Sequence, residues 1–183
     1  MHPLKHFRTI TAHRHLVIRH CRKAGIFRQG LMHDLSKYSP TEFLPGARFY
    51  QGIRSPNEKE REECGYSLAW MHHKGRNRHH FEYWTDYNPQ TKTLDPIAMP
   101  ARYVIEMFCD RVAASKIYYG DAYRDDTPLA YYLKGKDRRR IHPKTAAEIE
   151  FLLRMLAEQG EEKTFRYIRS HKNNLYPKEP SER

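Results

Sequence analysis

A thiolate scaffold and a membrane span are the first things this sequence cannot build. It has only three cysteines, Cys21, Cys64 and Cys109, spaced far apart and in no CxxC pair. A disulfide framework and a zinc site made of thiolates are both disfavoured by that count and spacing. Each cysteine has small or apolar neighbours and is expected in the core. No run approaches the roughly 20 apolar residues of a membrane helix. The polar start Met1-His2-Pro3-Leu4-Lys5-His6 lacks the apolar stretch of a signal peptide. The expectation is a soluble, cytoplasmic protein. Sustained apolar–polar alternation is missing too, which leaves little basis for a sheet. Repeats, low-complexity tracts and an interdomain linker are also lacking, and 183 residues suit a single domain.

Negative charge is in short supply. Thirty-three Lys and Arg stand against 22 Asp and Glu, a formal net charge of +11. A field of that sign favours anionic partners: nucleotides, other phosphoesters or nucleic acid. The densest stretch is Lys134 to Arg140, but no basic run exceeds three residues, so many of these charges serve to solvate helix faces. What is plentiful is aromatic and imidazole. Thirteen Tyr and eight Phe point to an aromatic-rich core, and twelve His are an unusual number for this length.

The pattern is that of an all-α chain. Residues 3–24 read as a helix with Phe7, Ile10, Val17, Cys21 and Ala24 on one face and Gly25 as its stop. A second helix is expected over about 27–38. Ser39-Pro40-Thr41-Glu42 and Ser55-Pro56-Asn57-Glu58 are helix starts, the latter running to about Lys74. Residues 45–54 and 75–95 read as loop. Asp95-Pro96 opens a long helix to Gly120, and Thr127-Pro128 a short one. Helices over 142–159 and about 161–172 meet at Gly160. The tail from Tyr176 is expected to be disordered.

Four places carry chemistry. Gly30-Leu31-Met32-His33-Asp34-Leu35-Ser36-Lys37 holds an adjacent imidazole and carboxylate with a lysine three residues beyond. Helix neighbours point about 100° apart, so both reach one point only if it lies beside them, as a metal between turns would. Such mixed ligands suit Mn, Fe, Co, Ni or Zn. His13 has Ile10 three before it and Val17 four after it, which puts it on the apolar face in need of a polar partner. His15 and His20 fall on other faces and read as surface residues. His72, His73, His79 and His80 lie within nine residues, bracketed by Trp70, Phe81, Tyr83 and Trp84, so helix and loop can each offer one ligand, with Asn77 shaping the turn. Asp110 sits between Met107, Ala113 and Ala114. A carboxylate on that small, apolar face needs a cation, either a metal or a Lys or Arg from another helix.

The order His13, His33-Asp34, two histidines from 72–80, then Asp110 resembles the HD-domain superfamily of metal-dependent phosphohydrolases, with HisAspLeuSerLys at 33–37 like its signature. More narrowly, the runs His33 to Phe43 and Trp70 to Trp84 resemble a family of bacterial and phage HD-like proteins that brings no established activity. The resemblance implies a single-domain helical bundle over 1–175. Its minimal ligand set would be His13, His33, Asp34 and Asp110. Further ligands for a second metal would come from His73 (or His72) and from His79 or His80.

Three functions are compatible with this. In the first, the chain hydrolyses a nucleotide or other phosphoester with one or two divalent metals. Asp34 ligates metal and orients or deprotonates water, and Lys37, Arg76 and Arg78 neutralise phosphoryl charge. In the second, the resemblance extends to HD-fold di-iron oxygenases. In the third, the metal is structural and the chain binds nucleic acid or another partner. An HNH nuclease is disfavoured because its ββα context is missing.

Overall fold

The computed structural model describes residues 1–176. Apart from Tyr176, whose ring meets Phe151 edge-on at 5.5 Å, the tail expected to be disordered lies outside the described residues. The fold is all-α, as expected. It comprises α1 (Pro3–Ala24), α2 (Phe27–Met32), α3 (Pro40–Arg48), α4 (Pro56–Cys64), α5 (Leu68–Arg76), α6 (Ala101–Tyr119), α7 (Thr127–Leu133) and α8 (Pro143–Ser170). Helix α1 packs along α6 and α8, and α3 bridges α1 and α5. Among the described residues no helix is long and apolar enough to cross a membrane.

Helix α1 matches its sequence signals except at Phe7, which is exposed and not on the buried face, and Gly25, left-handed at φ 76°, closes it. Elsewhere local chemistry shifts the boundaries. The helix expected to run from Pro56 to Lys74 is two helices. Gly65 turns left-handed at φ 80°, and Ser67 starts α5 by accepting the Trp70 N–H at 2.9 Å. The loop expected from residue 45 begins only after Arg48, because α3 runs through Pro45 and Gly46. Gly46 is required there: a Cβ would lie 2.3 Å from Nε2 of His6.

An antiparallel hairpin, β1 (Thr85–Asn88) and β2 (Thr93–Pro96), occupies part of the expected 75–95 loop. It consumes Asp95-Pro96, so α6 starts at Ala101 behind Pro100. In α8 the backbone at Gly160 leaves helical geometry (φ 80°, ψ 170°), which gives the two expected helical stretches.

The core lies between α1, α6 and α8 and is more aliphatic than composition implies. Val17, Val104, Ile105, Val112, Ile149, Leu152, Leu153, Leu156 and Ile168 are fully buried. Phe49, Phe108, Tyr132 and Phe165 are the buried aromatics; most tyrosines stay nearer the surface. Cys21 and Cys109 join this core, but Cys64 is exposed at the end of α4, a helix charged on all sides. His20, expected on the surface, is buried as well, because it lies nearly two helical turns beyond His13 and so on the same inward face.

Candidate metal centre

The doublet His33-Asp34 is not helical. Helix α2 ends at Met32, His33 is extended (φ −54°, ψ 128°), and Asp34 is left-handed at φ 54° before a 3-10 turn over Leu35–Tyr38. A left-handed aspartate, buried and without a side-chain cap bond, is a strained conformation held by its surroundings. The break does what a helix could not: it brings His33 Nε2 within 3.2 Å of Asp34 Oδ2.

Two ligand sets share Asp34. In the first, His13 from α1 and Asp110 from α6 join the doublet. His13 Nε2 is 3.0 Å from Asp110 Oδ1 and 3.9 Å from Asp34 Oδ2, and His33 Nε2 is 3.6 Å from Asp110 Oδ1. In the second, Asp34 turns its other oxygen to the 73–80 segment. Oδ1 is 3.3 Å from His73 Nε2 and 3.5 Å from His79 Nε2, while His73 and His80 oppose their Nε2 atoms at 2.8 Å. Within each set all donor atoms lie within 4.8 Å of one another. His73, not His72, is the histidine of that pair brought to the site, and both His79 and His80 are brought there.

Outside the ligand atoms stand two glutamates that sequence reasoning missed. Glu106 Oε1 accepts from His33 Nδ1 at 2.9 Å and is 3.2 Å from His79 Nδ1. Glu42 accepts from His73 Nδ1 and from His72 Nδ1, each at 2.7 Å. This is the outer arrangement of imidazole metal sites: the carboxylate fixes the tautomer and aims the Nε2 lone pair inward. Glu106 precedes Asp110 by four residues, which puts both on one face of α6, and that spacing was a readable signal. Glu42 was masked by its place in a helix-start pattern.

Five side-chain atoms here are buried and make no aligned hydrogen bond, namely His13 Nε2, His33 Nε2, His79 Nε2 and both Asp34 oxygens, although Asp34 Oδ2 is ion-paired with Lys37. Isolated buried polar atoms are rare and costly. Five clustered at ligand spacing fit a divalent transition metal bound through imidazole and carboxylate.

The electrostatics agree with a cation site. Burial alone would raise the Asp34 and Asp110 carboxyls, but the surrounding imidazoles, with Lys37 beside Asp34, hold both well below the usual range. Burial alone would lower His33, yet Asp34, Asp110 and Glu106 raise it well above its ordinary value. For His13 burial prevails and lowers the pKa. Glu106 would also rise on burial, and the bonds from His33 and His79 bring it to about 2. Lys37 Nζ lies 2.6 Å from Asp34 Oδ2.

A cavity of about 510 Å³ opens beside the centre, with His13, Lys37, His73, His80 and Asp110 in its wall. Arg76 and Arg78, expected to bind substrate, do not line it. Arg76 is exposed and turned back on the His72 carbonyl, and Arg78 is exposed and held by the Tyr103 hydroxyl. The cations that do line it, besides Lys37, are Arg54, Arg111 and Arg139.

No curated protein and no solved structure matches the chain. Residues 2–155 match the model described as a family of unknown function, DUF5662, and the chain belongs to that family.

Proposed function

We propose that this chain is a cytoplasmic, metal-dependent hydrolase of a nucleotide or other phosphoester, in the manner of the HD-domain superfamily its ligand order resembles. The observation that carries the reading is the set of five ligand atoms around Asp34 that make no hydrogen bond, beside a cavity whose wall includes His13, Asp110, Lys37, Arg111 and Arg139. His13, His33, Asp34 and Asp110 would hold one ion, and Asp34, His73, His79 and His80 a second. Divalent ions bound there supply Lewis acidity toward a phosphoryl oxygen and lower the pKa of water.

The chain's own residues do the remainder. Glu106 and Glu42 keep His33, His79 and His73 in the tautomer that presents Nε2. Both oxygens of Asp34 face ligand nitrogens, which suits it to joining the two sets more than to taking a proton. Lys37 stays charged: burial opposes this, but Asp34 and Asp110 raise its pKa above the usual lysine value. From the cavity wall it can pair with a phosphoryl oxygen. The test is phosphate release from a panel of nucleotides and phosphoesters with Mn, Co or Mg added. No turnover of any of them by metal-loaded protein would remove the reading.

One observation favours a second reading, an oxygen-activating di-iron enzyme. Four histidines besides His13 (His33, His73, His79 and His80) supply enough nitrogen donors for two irons sharing Asp34. Protein purified with two irons per chain and a visible or EPR iron signal would select it over the hydrolase. Colourless protein holding Mn or Zn would select against it.

A further inference from the structure

The basic run Lys134 to Arg140 contributes one residue to the cavity, and that residue meets an unpaired arginine from α6. Two of the four cations of the cavity wall already have an acid. Lys37 is on Asp34 at 2.6 Å, and Arg54 is held by both oxygens of Glu62 at 2.5 and 2.7 Å. Arg111 and Arg139 differ. Among the described residues no carboxylate oxygen lies within 4.0 Å of either guanidinium. Glu82 lines the same wall without reaching them.

Arg111 Nε is buried and has no hydrogen-bond partner, and its Nη2 reaches only the Met107 sulfur at 4.0 Å. Both guanidinium groups lie over the ring of buried Tyr132, at 5.6 Å for Arg111 and 5.0 Å for Arg139, and Arg139 also donates to the Tyr132 carbonyl. Two like charges on one ring, in a partly dehydrated wall with unmet N–H donors, repel each other; Glu82, whose buried Oε2 makes no hydrogen bond, stands too far off to pair with either, and an anion between them would satisfy both. The planar N–H forks of arginine suit an oxyanion there.

We propose that Arg111 and Arg139 form an anion subsite in the cavity wall. It takes an oxyanion of the substrate, a phosphate or a carboxylate, other than the group presented to the metal centre. This deepens the hydrolase reading by giving the substrate a second anionic group. Arg111 follows the ligand Asp110 on α6, so the two neighbours diverge around the helix while lining one cavity.

The experiment is calorimetric titration of inorganic phosphate, and separately of acetate, into the full chain stripped of metal by a chelator. Without metal the subsite is read alone, independent of any hydrolysis. Wild type is expected to bind one of the two anions, and the anion bound more tightly names the group. Arg111→Gln and Arg139→Gln are each expected to weaken that binding about tenfold or more, with Arg111→Lys retaining part of it. Arg139 is only half-buried, so Arg139→Gln keeps the test decisive if Arg111→Gln unfolds. No binding of either anion by wild type, or glutamine variants that bind like wild type, would overturn the subsite. Anion binding that follows Arg111 in a protein that hydrolyses no phosphoester supports the subsite and counts only against the hydrolase.

Discussion

His13 and His20 sit seven residues apart on α1, both on its inward face, both beside α6 and both buried. Their surroundings separate them. His20 Nδ1 is 3.3 Å from the Cys109 carbonyl, and its ring stacks on Phe165 at 5.4 Å. His13 faces Asp110 and Asp34, with Nε2 3.0 Å from a carboxylate oxygen yet unaligned for a hydrogen bond. One is a core histidine with its polar atom satisfied; the other holds Nε2, without an aligned hydrogen bond, among carboxylates. Burial of a histidine therefore says little about ligation. Convergence of unmet ligand atoms, two of them aimed from behind by Glu106, says much more.

The sharpest way to break this comparison is to remove the carboxylate that the two ligand sets share. Asparagine tolerates the left-handed backbone that Asp34 adopts, so Asp34→Asn is expected to fold. It should nevertheless lose metal from both sets, with bound metal falling about tenfold or more by elemental analysis. His13→Gln should lose metal from one set, and His20→Gln should keep wild-type content. Metal retained by Asp34→Asn, or lost equally from His13→Gln and His20→Gln, would erase the distinction between the two histidines.

A smaller effect is expected one layer out. Glu106→Gln and Glu42→Gln leave every ligand atom in place but weaken the acceptors that orient His33, His79 and His73. Each is expected to lower metal affinity about 10- to 100-fold, as loss of an outer carboxylate typically does. Competition with a chelator of known affinity reads this directly. An unchanged affinity in both variants would make these glutamates buried ion-pair partners only.

The two histidines also show what could be read from the chain alone. Helix α1 was legible because its apolar spacing and Gly25 agree, and His13 stood out because Ile10 and Val17 flank it at helical spacing. His20 was misplaced on the surface although the signal was present: seven residues are nearly two helical turns, so the stripe that holds His13 and Val17 holds His20 as well. The ligands His33, His73, His79, His80 and Asp110 were legible as residue types able to bind metal. Their geometry was not: the left-handed turn at Asp34 depends on contacts with α1, α5 and α6 that lie far off in sequence. Arg76 and Arg78 looked apt because they neighbour the histidines in the chain. The cations that reach the cavity, Arg111 and Arg139, come from α6 and the segment before α8, an arrangement only the tertiary fold creates.

The smallest expected effect concerns His20 alone. Burial, reinforced by Lys116, lowers its pKa from 6.5 to about 4. Above pH 6.5 the ring is neutral in both the folded and unfolded states, so it adds no pH dependence. Between 6.5 and 4 the unfolded chain takes up a proton that the folded chain refuses, and stability falls as pH falls. Below 4 both states are protonated and the loss is constant. His20→Gln removes this one proton from the balance. Metal-free wild type is therefore expected to lose about 2 kcal/mol more than His20→Gln between pH 7 and pH 5 in urea unfolding. His13→Gln makes a poor substitute for that measurement, because the carboxylates around His13 and His33 titrate together with it. A parallel acid loss in wild type and His20→Gln would mean that His20 can be protonated without disturbing its packing, so that α1 would no longer divide into a polar centre and a closed core.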